Sequence, residues 1–168
     1  AAGNYQALNF DRGGLEGDPM WATAQSGTRY SPGYFDPAPD GVSAAMVLFV
    51  VYSPDLDRDA SLDSQIPLHE LTHGMTTRII GDTAGLWWYP GMSMGEGWSD
   101  FFALAMTHSA AGDDPDGRYP NAAYIAYRCS SAVLPGFVFT DNYVYGDRTF
   151  PVSTDNLVNP LTWADADM

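Results

Sequence analysis

The chain has 168 residues, of which 45% are hydrophobic, and this length is enough for one domain with a buried core. Its formal net charge is −14, with seven arginines and no lysine, so nucleic acid is not an expected partner because no basic patch could neutralise phosphates. The most apolar run, 44–52, has about half the length of a membrane span, so no membrane partner is expected either.

The first third of the chain is predicted to form loops and short strands that lead into one buried strand. Residues 1–43 are rich in the turn-favouring residues Gly, Pro, Asn and Asp. Residues 44–52 are continuously apolar and include β-branched side chains, which indicates a buried strand.

An acidic loop follows this strand. Asp55, Asp57 and Asp59 alternate as they do at the start of a calcium-binding loop. The sixth position is Ala60 instead of Gly and the twelfth is Ile66 instead of Glu, so the loop is not an EF-hand. A solvated or helix-capping loop is therefore favoured, with a Ca²⁺ site as the weaker alternative.

The first helix is predicted to begin near Ser64, with Pro67 tolerated in its first turn, and to stop at Gly81. Apolar residues at helical spacing predict the face that packs on the core. These residues are Leu68, Leu71, Met75 and Ile79.

The same helix carries a His-Glu-x-x-His pattern formed by His69, Glu70 and His73. Residues four apart lie on one helix face, about 6 Å apart, so both imidazoles can bind one ion, and neutral imidazole suits Zn²⁺. Glu70 directly follows the first histidine and can reach a water held there, which is the geometry of a general base. The structural alternative is a capped surface helix with a His–Glu hydrogen bond.

A catalytic zinc needs a third protein ligand, and the candidates are His108, a carboxylate or Cys129. Glutamate is scarce, with 3 Glu against 18 Asp, and Glu96 follows His73 by 23 residues, a gap that lets a second helix return antiparallel. Asp100 lies one turn after Glu96, where it could orient a zinc-bound histidine. This pair favours a zinc site. His108 is interpreted as a polar residue near a helix end and Cys129 as a small buried residue.

The second helix is predicted over 93–110, after a loop at 81–91. Gly95 and Gly97 would let the two helices approach closely around the ion. The loop is interpreted as an aromatic lid folded over the core, with a wall of the substrate cleft as the alternative. Its aromatic residues are Trp87, Trp88 and Tyr89.

The remainder of the chain carries weaker signals. Residues 111–120 are predicted to form an acidic turn. Residues 121–133 could form a helix, and 136–145 a strand.

Two of these segments resemble the fungalysin metallopeptidases. Residues 69–74 match the His-Glu-x-x-His-Gly helix of that family, and 93–100 resemble its Gly-Met-Gly-Glu-Gly-Trp-Ser-Asp segment. Shorter matches extend the resemblance, in fragments, over nearly the whole chain. They are the acidic loop 58–63 leading into Ile66, Phe-Asp-Pro-Ala-Pro-Asp-Gly at 35–41, Arg-Thr-Phe-Pro-Val-Ser-Thr-Asp at 148–155, which resembles the family's Gly-x-Arg-x-x-Pro-Tyr-Ser-Thr segment, and Val-Asn-Pro-Leu-Thr-Trp at 158–163.

The resemblance implies a secreted zinc endopeptidase of α+β fold. The fold would be a zincin-like (thermolysin-like) catalytic domain in which a zinc helix and a ligand helix pack beside a small sheet. His69, His73 and Glu96 would bind one Zn²⁺. Glu70 would be the general base, and Asp100 matches the position that supports a zinc histidine. The substrate would be a protein or peptide, and a pro-segment would be a partner in the precursor.

The resemblance further implies that residues 1–168 are a single partial catalytic domain. It would have a β-rich part at about 1–62, a zinc-helix part at about 63–112 and a mixed remainder at 113–168. A signal, a pro-segment and a C-terminal helical part are predicted to be missing from this span.

The chain departs from the family pattern at three places. Where the family has an asparagine-rich stretch, expected to form the edge strand that aligns the substrate, this chain has Ser-Pro-Gly-Tyr at 31–34. Main-chain pairing with a peptide could survive there. Val152 replaces the tyrosine of the Pro-Tyr-Ser-Thr motif, and no histidine follows His108 to stabilise an oxyanion as in thermolysin-like enzymes.

Two further residues are weaker candidates for substrate contacts. Arg148 could bind a substrate carbonyl or carboxylate, with a structural Arg–Asp pair as the alternative. Ile66, three residues before the first ligand, could line an apolar pocket for the residue after the scissile bond, with core packing as the alternative.

Two other functions stay open at this point. One is a non-catalytic zinc-binding remnant that serves as a binding or structural module, although a structural zinc prefers four protein ligands and needs no base. The other is a zinc aminopeptidase, although the sequence shows no acidic exopeptidase signature.

Overall fold

The computed structural model describes residues 4–52, 56–108, 112–126 and 142–166. The described chain mixes short strands with two long helices, which confirms the predicted α+β class. The strands are β1 (Trp21–Thr23), β2 (Thr28–Arg29), β3 (Gly33–Asp36), β4 (Ala45–Leu48), β5 (Val50–Val51) and β6 (Arg58–Asp59). The helices are α1 (Gln65–Ile79), α2 (Gly91–Thr107), α3 (Ala123–Ala126) and α4 (Asn142–Tyr145), with 3-10 turns at Ala60–Leu62 and Trp163–Ala166.

The strands form two three-stranded sheets, in the orders β1-β4-β3 and β2-β5-β6. Strand β4 is parallel to β1 and antiparallel to β3, and β5 is parallel to β2 and antiparallel to β6. The prediction of one continuous strand at 44–52 is therefore wrong in one respect. The segment divides at Phe49 into β4 and β5. The Phe49 N–H donates to Pro32 O at 2.9 Å, and its carbonyl accepts from Ala60 N at 3.0 Å, so this residue serves both sheets.

The core lies between the β4–β5 segment and the start of α1. Side chains from the strands, the first 3-10 turn, α1 and the α3 region pack there into one cluster. The buried members are Met46, Leu48, Val51, Ala60, Ile66, Ala122 and Ile125.

Helix α1 begins and ends as predicted, but its buried face follows the prediction only in part, with Leu71 packed against the core. Met75 and Ile79 are 38% and 60% exposed. The residues that are buried instead are Ile66, Glu70, Thr72, Gly74 and Arg78. The apolar pattern failed because a buried ion pair, rather than a hydrophobic stripe, fixes the C-terminal half of this helix.

That ion pair joins Arg78 on α1 to Asp18 in the N-terminal loops, with 2.6 Å between Nη1 and Oδ2. Both side chains are fully buried. Asp18 also accepts the N–H groups of Gln6 and Gly41, at 3.2 and 3.1 Å. The remaining guanidinium donors reach four backbone carbonyls, those of Asn4, Ala38 (2.9 Å), Pro39 (3.1 Å) and Val42 (2.8 Å). Loops with little regular structure are thereby tied to α1.

Strand β3 approaches α1 closely at Gly74. A Cβ atom at this position would overlap the Phe35 ring, so only glycine fits. At the other end of the strand, a Cβ built on Gly33 would lie 3.5 Å from Glu70 Oε1. This packing lays β3, an edge strand of its sheet, along the face of α1 that carries the His-Glu-x-x-His pattern.

Helix α2 packs against α1 and ends at His108, close to the predicted limits. A Cβ on Gly95 would lie 3.8 Å from His73 Nδ1, so this glycine faces α1. No described atom lies within 4 Å of a Cβ on Gly97, so the predicted close approach at Gly97 is wrong.

The segments after α2 fit the predictions only in part. The acidic segment forms a turn in which Gly117 N donates to Asp114 O at 2.8 Å. The helix predicted at 121–133 contains α3, and its residues beyond 126 lie outside the described ones. The strand predicted at 136–145 is wrong where it can be compared, because α4 is helical. In the described segments, no helix has both the length and the apolar character of a membrane span.

Candidate metal centre

Three side chains that the sequence singles out meet in one place. His69 and His73 come from successive turns of α1, and Glu96 comes from α2. The two Nε2 atoms are 3.0 Å apart. Glu96 Oε2 lies 3.2 Å from His69 Nε2, and Glu96 Oε1 lies 3.3 Å from His73 Nε2. In the described part of the chain, no other group of three His, Cys, Asp or Glu side chains is close enough to share an ion.

These distances fit a tetrahedral zinc ion. Ligand atoms at about 2.0–2.1 Å from Zn²⁺ in tetrahedral geometry are separated from each other by about 3.3 Å. Two imidazole nitrogens and a carboxylate are a common catalytic donor set, and they leave a fourth position open. The donors therefore fit zinc in both chemistry and spacing.

Asp100 holds the outer nitrogen of His69. Its Oδ1 lies 2.7 Å from His69 Nδ1. An ionised carboxylate only accepts hydrogen bonds, so Nδ1 carries a proton, and Nε2 becomes a metal ligand when an ion displaces the proton that it shares with Glu96. Burial lowers the pKa of His69, but hydrogen bonds to Asp100 and Glu96 outweigh it and raise the pKa to about 9. Hydrogen bonds from His69 and His73 hold the pKa of Glu96 well below its ordinary value.

Arg148 completes the arrangement on the far side of Asp100. Its Nε and Nη2 donate to Asp100 Oδ2 and Oδ1, at 2.6 and 2.8 Å, in a bidentate pair. Its Nη2 also lies 3.8 Å from Glu96 Oε2. The predicted Arg–Asp pair is thus present, whereas a substrate contact of Arg148 stays a prediction.

Glu70 lies beside these ligands and is only 6% exposed. Burial raises the pKa of its carboxyl above the ordinary value. A raised pKa makes a carboxylate a stronger proton acceptor, which suits a general base.

The group lines a cleft of about 600 Å³. Residues 31–37, which include β3, form one wall, and α1 contributes the base of the cleft from Gln65 to Thr77. Leu86, Trp87 and Met92 line the side near His73, whereas Asn121, Asp147 and Arg148 line the side near His69. The two sides therefore differ in character, one apolar and one polar.

The other predicted site residues have mixed outcomes. Ile66 fits both interpretations, because it is 4% exposed in the core and also lines the cleft. The predicted lid over the core is wrong, since Trp87, Trp88 and Tyr89 are 61, 83 and 71% exposed. Trp87 belongs instead to the cleft wall.

The alternative ligands do not join the group in the described residues. His108 lies at the end of α2, as predicted, with its Nδ1 3.0 Å from Asp113 Oδ2. Cys129 lies outside the described residues. In the acidic loop, Asp59 caps the first 3-10 turn by accepting from Ser61 N at 2.9 Å, which confirms helix capping for this residue. Asp55 lies outside the described residues.

Sequence analysis missed two residues of the cleft, Asn121 and Asp147. The possible helix at 121–133 and the possible strand at 136–145 give no signal that would place these two residues near α1. Asp147 is one of 18 aspartates, so its residue type alone gives no signal.

Comparisons with known proteins identify the family of this chain. The sequence model of the family described as fungalysin metallopeptidase (M36) matches residues 1–168. Extracellular metalloproteinase 2 of Phaeosphaeria nodorum is 34% identical over 99% of this chain. Extracellular metalloproteinase MEP of Pyricularia oryzae is 32% identical over 98%, and extracellular metalloproteinase mep of Aspergillus terreus is 33% identical over 97%. The chain spans about a quarter (24%) of the length of each of these relatives.

Proposed function

Because the chain belongs to the fungalysin metallopeptidase (M36) family, we propose that it forms part of the catalytic domain of a secreted zinc endopeptidase. Secretion is proposed because the relatives are named extracellular metalloproteinases. The observation that carries the proposal is the convergence of His69, His73 and Glu96 at 3.0–3.3 Å, in an open cleft with Glu70 beside them. The pairing of α1 with α2 next to an edge strand supports a zincin-like, thermolysin-like domain.

His69, His73 and Glu96 would hold the ion, and zinc in such a site acts as a Lewis acid toward a water molecule and the scissile carbonyl. Glu70 accepts a proton from the attacking water and passes it to the leaving amine. Asp100 keeps the proton of His69 on Nδ1, so that Nε2 stays available as a ligand.

The peptide would align with β3. This strand lies at a sheet edge and lines the cleft along α1, so main-chain groups on its outer side can pair with an extended substrate. The Ser-Pro-Gly-Tyr sequence at its start changes side chains that could contact the substrate, but it leaves this backbone pairing possible.

The test is zinc stoichiometry of the full-length protein, with digestion of casein at saturating zinc. We expect one zinc per chain and cleavage inside the casein chain that a chelator abolishes. Glu70→Gln should keep the zinc and lose at least about 10²-fold in kcat. The control Asp82→Asn removes an equal charge at an exposed position outside the cleft, and it should keep both the bound zinc and the kcat of the unmodified protein.

The alternatives predict other results. Zinc without cleavage would favour a non-catalytic zinc-binding module, and cuts confined to the N-terminus would indicate an aminopeptidase. Full activity in the Glu70→Gln variant would contradict the role of Glu70.

A further inference from the structure

Asp147 is a carboxylate in the cleft that the proposed hydrolysis does not use. Its side chain is 24% exposed, and its Oδ1 is buried without a hydrogen-bond partner among the described residues. Burial raises the pKa of Asp147 to about 6. An acceptor that lacks a hydrogen bond costs free energy. The exposed fraction of the Asp147 side chain lets a ligand in the cleft approach this carboxylate and offset that cost.

The backbone places Asp147 at the His69 end of the cleft. Its N–H donates to Asn121 O at 2.9 Å. Ala122, which follows Asn121, donates its N–H to Gln65 Oε1 at 2.6 Å. Gln65 is the first residue of α1, so Asp147 lies near the helix turn that precedes His69. Ile66 lines the cleft in that same turn.

The neighbouring Arg148 forms only a long ion pair with Asp147. The Arg148 guanidinium group donates two short hydrogen bonds to Asp100, at 2.6 and 2.8 Å. The nearest approach of Arg148 Nη1 to Asp147 Oδ2 is 3.7 Å, which is too long for a hydrogen bond. This end of the cleft therefore combines an apolar side chain, Ile66, with a carboxylate whose charge is only weakly paired.

We propose that Asp147 makes this end of the cleft a subsite for a lysine or arginine side chain of the peptide substrate, at the residue after the scissile bond. The aliphatic stem would lie on Ile66, and the cationic head would donate to the exposed part of the Asp147 carboxylate. The inference rests on the proposed peptidase function. The family's Gly-x-Arg pattern leaves this position open, so the preference would be a property of this chain rather than of the family.

The test compares two peptides that differ only in lysine or norleucine after the scissile bond, with the zinc-loaded full-length protein. We expect kcat/KM to favour lysine by about tenfold or more, as for a charge-assisted hydrogen bond. Asp147→Asn, which keeps the shape of the side chain, should reduce the preference to within about threefold. The control Asp82→Asn should keep the preference for lysine. Thermal unfolding of each variant checks that it is folded.

Binding separates this proposal from the peptidase function. The Glu70→Gln variant should bind the lysine peptide more tightly than the norleucine peptide, and Glu70→Gln/Asp147→Asn should bind them equally. A lysine preference in binding without any cleavage by the unmodified protein would support the subsite and overturn the peptidase. Equal cleavage of both peptides, or a preference that survives Asp147→Asn, would overturn the subsite and leave the peptidase in place.

Discussion

At the residue scale, the candidate centre depends on one carboxylate that binds no metal itself. Asp100 accepts from His69 Nδ1 at 2.7 Å and from two nitrogens of Arg148. Burial would raise the pKa of Asp100, but its hydrogen bonds with His69 and Arg148 lower it, so the group stays ionised and acts only as an acceptor. It therefore fixes both the tautomer and the ring orientation of His69.

Asp100→Ala should weaken zinc affinity about 10–100-fold, because His69 is then free to rotate or to protonate Nε2. Titration with a competing chelator measures the change. Arg148→Gln removes the ion pair with Asp100 but keeps the contact between Asp100 and His69. It should therefore lower zinc affinity much less than Asp100→Ala does. An equal loss in both variants would mean that the ion pair, and not the contact with His69, supports the metal.

At the scale of elements, the packing of α1 on β3 requires glycine at position 74. Gly74→Ala should destabilise the protein by about 1–3 kcal/mol, because the added methyl group overlaps the Phe35 ring. Gly97→Ala is the matched control in α2. Its Cβ meets no described atom within 4 Å, so it should stabilise the fold by about 0.5–1 kcal/mol through helix propensity. Urea unfolding measures both, and equal effects in the two variants would contradict the clash.

The contact between the N-terminal loops and α1 depends on Asp18. Asp18→Asn leaves the Arg78 guanidinium buried without its counter-charge, which should cost about 3–5 kcal/mol of unfolding free energy. The control Asp11→Asn changes an exposed residue of the same loops and should have little effect. A loss below about 1 kcal/mol for Asp18→Asn would mean that the backbone carbonyls alone satisfy Arg78.

The sequence predicts the ends of elements better than their faces. Pro67 and Gly81 mark the limits of α1 through local backbone geometry, which a short segment contains in full. The buried face of α1 depends on Asp18, which lies 60 residues before Arg78, and no local pattern encodes that pair. For the same reason the ligands His69, His73 and Glu96, whose chemistry is in their residue types and spacing, could be predicted, but Asp147 could not.

At the scale of the whole molecule, the candidate ion would join the two long helices. Two ligands come from α1 and the third from α2. Among the described residues, the polar contacts that otherwise join these helices are those of Asp100 with His69 and of Gln65 with Thr107. Without the ion, the imidazoles and Glu96 are held together by their mutual hydrogen bonds, with Asp100 fixing His69. Metal binding should therefore be coupled to the stability of the folded chain.

Removal of zinc with a chelator should lower the thermal midpoint. Zinc at 100 times its dissociation constant stabilises the folded state by about 2.7 kcal/mol, which corresponds to a shift on the order of 5–10 °C for a chain of this size. Zinc should restore the midpoint. Calcium, which prefers oxygen ligands, should not restore it, and a recovery with calcium would revive the acidic-loop site.

Histidine variants assign this shift to the proposed centre. His69→Ala should abolish the zinc-dependent shift, because it removes one of the three ligands. His108→Ala should keep the shift, since this histidine lies at the far end of α2 beside Asp113. With a net charge of −14, any divalent cation could also stabilise the chain by screening its self-repulsion. Such a general effect would persist in His69→Ala, so a shift that survives this substitution would show that the ion acts on the overall charge and not between α1 and α2.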